Sequence, residues 1–141
     1  MTLYLDTSFL AALFIEADAF NAQATIFFAD VNDAMVVSDF AATEFASVIA
    51  RVTRMNVLKK TEARAIFDGF DTWRARFTDE EDAVSSDIQV AAVIIRRLDL
   101  NLRAPDAINL AIALRLDASL VTFDRRMTRN ARTLGLATPA A

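Results

Sequence analysis

The chain is 141 residues long, carries a net charge of −4 and contains neither cysteine nor histidine. That length suits one domain around one hydrophobic core. The missing residue types exclude disulfides, thiolate nucleophiles, Ser-His-Asp triads and His/Cys zinc sites, so any metal site must be built from oxygens, which select hard cations such as Mg²⁺ or Mn²⁺.

Two glycines and two prolines leave no linker, low-complexity tract or internal repeat, and a single domain over residues 1–141 is expected. Thr2 to Leu5 predicts a short strand, followed at once by a helix through Phe9 to Phe14. A second helix is expected from about Asp18 to Val31, with Phe20, Ala24, Phe27, Phe28 and Val31 on one stripe. Ala34 to Val37 reads as the next strand. Ser38 or Asp39 then caps a helix carrying Phe45, Val48, Ile49 and Val52 at helical spacing.

Lys59 to about Phe77 predicts a long surface helix, and the acidic stretch Asp79 to Asp82 leads into a helix over Ile88 to Leu98. Pro105 suits the first position of a buried helix that runs to Leu116. Ser119 to Phe123 predicts the last strand, and a closing helix from Arg125 to Leu134 ends at Gly135, a left-handed cap. Short apolar strands between helices indicate an α/β fold with a parallel sheet buried on both faces.

The charge balance alone does not point to nucleic acid, but thirteen arginines stand against two lysines. Arginine is the planar, bidentate reader of phosphate, although solvated helix faces are the plain alternative for each one. The hydrophobic fraction is 55%, yet no apolar run reaches the ~18 residues of a membrane span. Phe9 to Ile15 follows Asp6 with no basic residue before it, unlike a secretory leader, which predicts a cytoplasmic protein.

Four acids stand at informative places. Asp6 follows the first strand and Asp124 the last, which puts both at the carboxyl edge of a parallel sheet, where open α/β sheets bind ligands. Helix capping is the bland account of each. Asp106 follows Pro105 in an otherwise apolar helix, and Asn109, three residues on, is placed to brace it. Stabilisation by the helix dipole is its alternative. Glu44 heads the stripe that continues through Val48 and Val52, so it points at the core or its rim. Were all four to meet within ~5 Å, each pair would repel by roughly 3 kcal/mol at an effective dielectric near 20. A bound cation is the simpler relief at neutral pH.

In Leu5-Asp6-Thr7-Ser8, Thr43-Glu44-Phe45, Pro105-Asp106-Ala107 to Ala111, and Val121-Thr122-Phe123-Asp124-Arg125-Arg126, the chain resembles the PIN-domain family. Within it, the likeness is to VapC-like toxins of bacterial toxin–antitoxin pairs. It runs from about Leu3 to Pro139 and includes Ala131 and Leu134-Gly135-Leu136; Asn56 to Leu100 matches only in helical character. The resemblance implies a Rossmann-like sheet of about five strands and an Mg²⁺- or Mn²⁺-dependent ribonuclease. Asp6, Glu44, Asp106 and Asp124 are then its catalytic and metal-holding quartet, with Thr122 and Ser8 lining the site.

The resemblance also implies a homodimer and a small antitoxin that inserts a peptide into the groove. The apolar stretches Phe9 to Ile15 and Phe20 to Val31 are compatible with that contact, and core packing explains them equally well. Arg125 and Arg126 are candidates to orient phosphates. Two other readings keep the same fold: a PIN-type ribonuclease of RNA processing or decay, and a non-catalytic binding module. A haloacid-dehalogenase-type phosphatase would need an acid where Ser8 stands.

Overall fold

The computed structural model describes residues 1–140; Ala141, the last residue of the expected domain, lies outside the described residues. Strands β1 (Thr2–Leu5), β2 (Ala34–Ser38), β3 (Asp79–Glu81) and β4 (Ser119–Val121) form one parallel sheet in the order β3-β2-β1-β4. Parallel neighbours cannot be joined by tight turns, and the connections are made by helices. These are α1 (Thr7–Phe14), α2 (Asn21–Asp30), α3 (Asp39–Arg54), α4 (Lys60–Phe77), α5 (Ser85–Arg96), α6 (Ala104–Arg115) and α7 (Arg125–Thr133).

The two-residue alternation of β1 divides the core. Leu3 and Leu5 join Phe9, Phe45, Phe70 and Trp73 in one cluster, while Tyr4 joins Leu110, Ile112, Leu120 and Met127 in another. The sheet is therefore sandwiched between α1–α4 and α6–α7, with α5 packed on α6 through Ala91, Ala107 and Ala111. The helix expected from Lys59 is not merely superficial, because Ala63, Phe70 and Trp73 enter the first cluster.

Two expectations change. The acidic stretch Asp79–Glu81 is a strand whose residues pair with Val36, Val37 and Ser38. Acidic residues favour strands poorly, but here they blunt an exposed sheet edge, and Glu80 and Glu81 meet Arg74 and Arg115 at 3.8 and 2.9 Å. The sheet has four strands among the described residues where about five were expected. Beside β4 the closing segment makes a backbone bond, Leu120 N–H to Ala137 O at 2.8 Å, but no ladder. Pro139 nearby brings no N–H to extend one.

Gly135 adopts φ +88° beyond α7, as expected, but Asn56, Leu98 and Asp117 do the same work after α3, α5 and α6 with φ of 59°, 65° and 50°. A chain so poor in glycine ends its helices on side-chain-bearing residues, at a local cost of about 1–2 kcal/mol for a residue such as Leu98.

Candidate active site

Because β1 lies between β2 and β4, the winding of the chain reverses at its carboxyl end. That reversal opens the crevice in which doubly wound sheets bind ligands. Asp6 directly follows β1 and Asp124 stands three residues beyond β4, so the two flank the crevice.

Asp6 is only 4% exposed. It caps α1, its Oδ1 accepting from Phe9 N–H at 3.2 Å and from the Ser8 hydroxyl at 2.7 Å. Ser8 Oγ lies 3.0 Å from Thr122 Oγ1 and accepts from Phe123 N–H at 3.0 Å, which ties the start of α1 to the end of β4. Burial pushes the Asp6 carboxyl up to about 6, while hydrogen bonds from Ser8 and Thr122 pull the other way. Desolvation, not crowding by the other acids, is what perturbs it.

Glu44 is half-buried and accepts from Thr7 Oγ1 at 3.0 Å and from the Asn109 side-chain amide. Asn109 thus braces Glu44, not Asp106 as its spacing suggested; its amide also donates to Pro105 O at 3.2 Å. The carboxamide is itself oriented by Tyr4, whose buried phenol donates to Asn109 Oδ1 at 2.6 Å. Burial holds that phenol above its ordinary pKa, so it remains a donor. Ser38, which caps α3 through Ala41 N–H, lies 2.6 Å from the phenol oxygen. A chain Ser38–Tyr4–Asn109–Glu44–Thr7 therefore fixes one carboxylate from the core outward. Tyr4 was hidden in the sequence as an ordinary apolar strand residue.

This chain yields a prediction. Tyr4→Phe should lower stability by about 1–3 kcal/mol, because it strands a buried amide oxygen and a buried hydroxyl. Urea denaturation measures this, and a change below about 0.5 kcal/mol would show that the network contributes nothing.

Asp124 caps α7, its Oδ1 accepting from Arg126 N–H at 2.8 Å and Met127 N–H at 3.2 Å. Asp106 sits in the first turn of α6 and faces Arg126 Nη2 at 3.5 Å and Arg103 Nε at 3.8 Å. All four acids line one cavity of about 770 Å³, together with Ser8 and Asn109. They surround it without fusing: among the described residues no three acids are gathered closely enough to share an ion. The acids line an open space, and capping bonds hold Asp6 and Asp124 to their own helices. Arg51 and Arg103 line the same cavity, whereas Arg125 faces a neighbouring groove and Arg126 is engaged with Asp106.

Residues 3–133 match the family model of the PIN domain. The chain belongs to the PIN-domain family. No curated protein matches it by sequence, but solved structures do by shape. VapC20 of Mycobacterium tuberculosis, a sarcin-ricin-loop-cleaving toxin, superposes with a TM-score of 0.75 at 19% identity, over 90% of this chain and 93% of that one. VapBC2 of Rickettsia felis, solved on a DNA fragment of its promoter, matches at 0.68 and 16%, over 98% and 97%. A toxin–antitoxin complex from Klebsiella pneumoniae matches at 0.65 and 18%, over 97% of each chain. At such identities the likeness is one of fold. No helix of this PIN domain, among the described residues, is long and apolar enough to cross a membrane.

Proposed function

We propose that this PIN-domain protein is an Mg²⁺- or Mn²⁺-dependent ribonuclease that hydrolyses RNA phosphodiester bonds as the toxin of a toxin–antitoxin pair. The observation that carries the reading is the ring of Asp6, Glu44, Asp106 and Asp124 around one open cavity at the sheet's carboxyl edge. The donor set fits a hard cation, since every acidic ligand offers oxygen. Among the described residues no three acids are close enough to share an ion, and Mg²⁺ is usually held by one or two carboxylates, with waters and substrate phosphates completing its shell.

In this reading Asp6 and Asp106 are the principal ligands, and Glu44 and Asp124 complete the acidic ring. When bound, the ion supplies positive charge that polarises the phosphodiester and makes a water easier to deprotonate. Burial raises the cost of ionising Asp6, and a cation beside it favours the ionised form. Glu44, held on one oxygen by Thr7 and Asn109, is kept in place for the approach of substrate. One carboxylate of the ring receives the proton of the attacking water. Arg51 and Arg103 at the wall of the cavity orient backbone phosphates.

The toxin setting rests on the solved structures of like fold, two of which are VapC or VapBC proteins and another a toxin–antitoxin complex. A small antitoxin that inserts an arginine among the carboxylates would compete with the cation, because a guanidinium fork pairs bidentately with them. A homodimer belongs to the same reading: Ile88, Val90 and Val93 leave α5 with exposed apolar surface that a second copy would cover.

The test has a biochemical and a cellular arm. Purified protein should lose RNA cleavage in chelator and regain it with Mg²⁺ or Mn²⁺. Expression alone should arrest growth, and co-expression of the cognate antitoxin should lift the arrest. Full activity in chelator would overturn the metal-dependent chemistry, and normal growth at good soluble yield would overturn the toxin role.

A further inference from the structure

The β4–α7 connection borders two cavities. Its Asp124 lines the acidic one, while Thr122 and Phe123, with Arg125 at the start of α7, line a second, of about 480 Å³, that plays no part in the chemistry above. Part of this second wall is a tier of aromatic rings. Phe20 stacks on Phe123 with centroids 5.0 Å apart and planes 5° from parallel. Phe123 in turn lies 5.7 Å from Phe9 at 29°. The tier rises from Phe9, fully buried, to Phe20, 40% exposed.

The other wall is basic. Arg125, Arg129 and Arg132 of α7 all line the groove, and α7 contains no acid. Arg132 is tied to Thr138 Oγ1 at 2.8 Å. Among the described residues none of the three forms an ion pair. An ordered ring stack that ends in solvent beside unneutralised guanidinium groups suits a ligand with a flat π face and a nearby negative charge. A nucleotide has both, and base–aromatic stacking is tolerant of sequence.

We infer that this groove is a subsite for one nucleotide of single-stranded RNA flanking the scissile phosphate, its base on the Phe20–Phe123 stack and its phosphate met by Arg125 and Arg129. The inference rests on the ribonuclease reading and extends it, since the shared β4–α7 connection lets one strand run from the aromatic groove to the acidic ring. It also accounts for arginines that the acidic cavity does not use.

The experiment uses the full chain carrying Asp6→Asn, so that labelled single-stranded RNA oligonucleotides bind without being cut, with fluorescence anisotropy as the readout. Adding Phe20→Leu keeps apolar bulk but removes the π face, and should raise Kd roughly 5- to 100-fold. Phe20→Tyr should restore binding to near the parent value. Arg129→Gln should weaken binding for every sequence and reduce the salt dependence of log Kd by about 0.7. An abasic nucleotide scanned along the oligonucleotide should cost affinity at one position in the parent and cost nothing there in Phe20→Leu. If the parent binds and unsubstituted protein cleaves RNA, but Phe20→Leu and Arg129→Gln bind like the parent, the subsite is overturned alone. If unsubstituted protein cleaves no RNA and the parent binds none, the ribonuclease reading and the subsite fall together.

Discussion

Asp6→Asn should abolish RNA cleavage and, without metal, make the fold more stable at pH 8 by about 1–3 kcal/mol. The amide keeps an oxygen for the Phe9 N–H and the Ser8 hydroxyl, so the cap of α1 survives. What disappears is a buried charge. The carboxyl moves from 3.8 to about 6 on folding, so between those values the native state binds more protons than the unfolded chain. Stability of the unsubstituted protein therefore falls as pH rises through that window and stays at its lower level above it. The advantage of Asp6→Asn should accordingly be absent near pH 3.8, grow up to about pH 6 and then level off. Denaturant melts in chelator from pH 4 to 8 measure it. A variant that still cleaves RNA would remove Asp6 from the site, and one that is much less stable at pH 8 would show that the helix cap outweighs the buried charge.

Arg115→Met should destabilise the fold by about 3–5 kcal/mol, because it strands a buried carboxylate. Arg115 grips Asp87 with Nε at 2.8 Å and Nη2 at 3.0 Å, and reaches Glu81 at 2.9 Å and Asp82 O at 3.1 Å. One side chain thus joins α6 to α5 and to the edge strand β3. Asp87 is 1% exposed, and burial alone would push its carboxyl up. The hydrogen bonds from Arg115 and Val84 N–H, with the guanidinium charge, instead hold it below the ordinary range. Its contribution is present above the unfolded value of 3.8 and is lost as pH falls through the lower folded value.

Without its partner, Asp87 should titrate above the unfolded value, so the deficit of Arg115→Met should shrink on acidification toward pH 4. Adding Asp87→Asn, which still accepts from Val84 N–H, should recover most of the loss at neutral pH. Thermal melts of the single and double variants measure both effects. A single variant within about 1 kcal/mol of the parent would show that the cluster is mere surface decoration.

Much of the architecture was legible because its signals are local. Apolar runs of strand length, helical stripes and the punctuation of Ser38, Pro105 and Gly135 mark most elements within a few residues of where they lie. The edge strand Asp79–Glu81 was not legible, since its pairing with β2 overrides an acidic composition. The bracing of Glu44 was also hidden: Tyr4 and Asn109 are 105 residues apart, and no periodicity links them.

By itself the sequence determined the α/β class, the oxygen-only chemistry and the four candidate acids, because residue inventory and position at the end of an element do not depend on long-range packing. Tertiary structure decided the rest. It set the four acids around one cavity, with Asp6 and Asp124 held to their own helices by capping bonds. It buried Asp6 and so raised its pKa by desolvation, a quantity that depends on what covers the group and not on its neighbours in the chain. And it brought Phe20, in the α1–α2 connection, onto Phe123, just beyond β4, across 103 positions, a contact that no local sequence signal encodes.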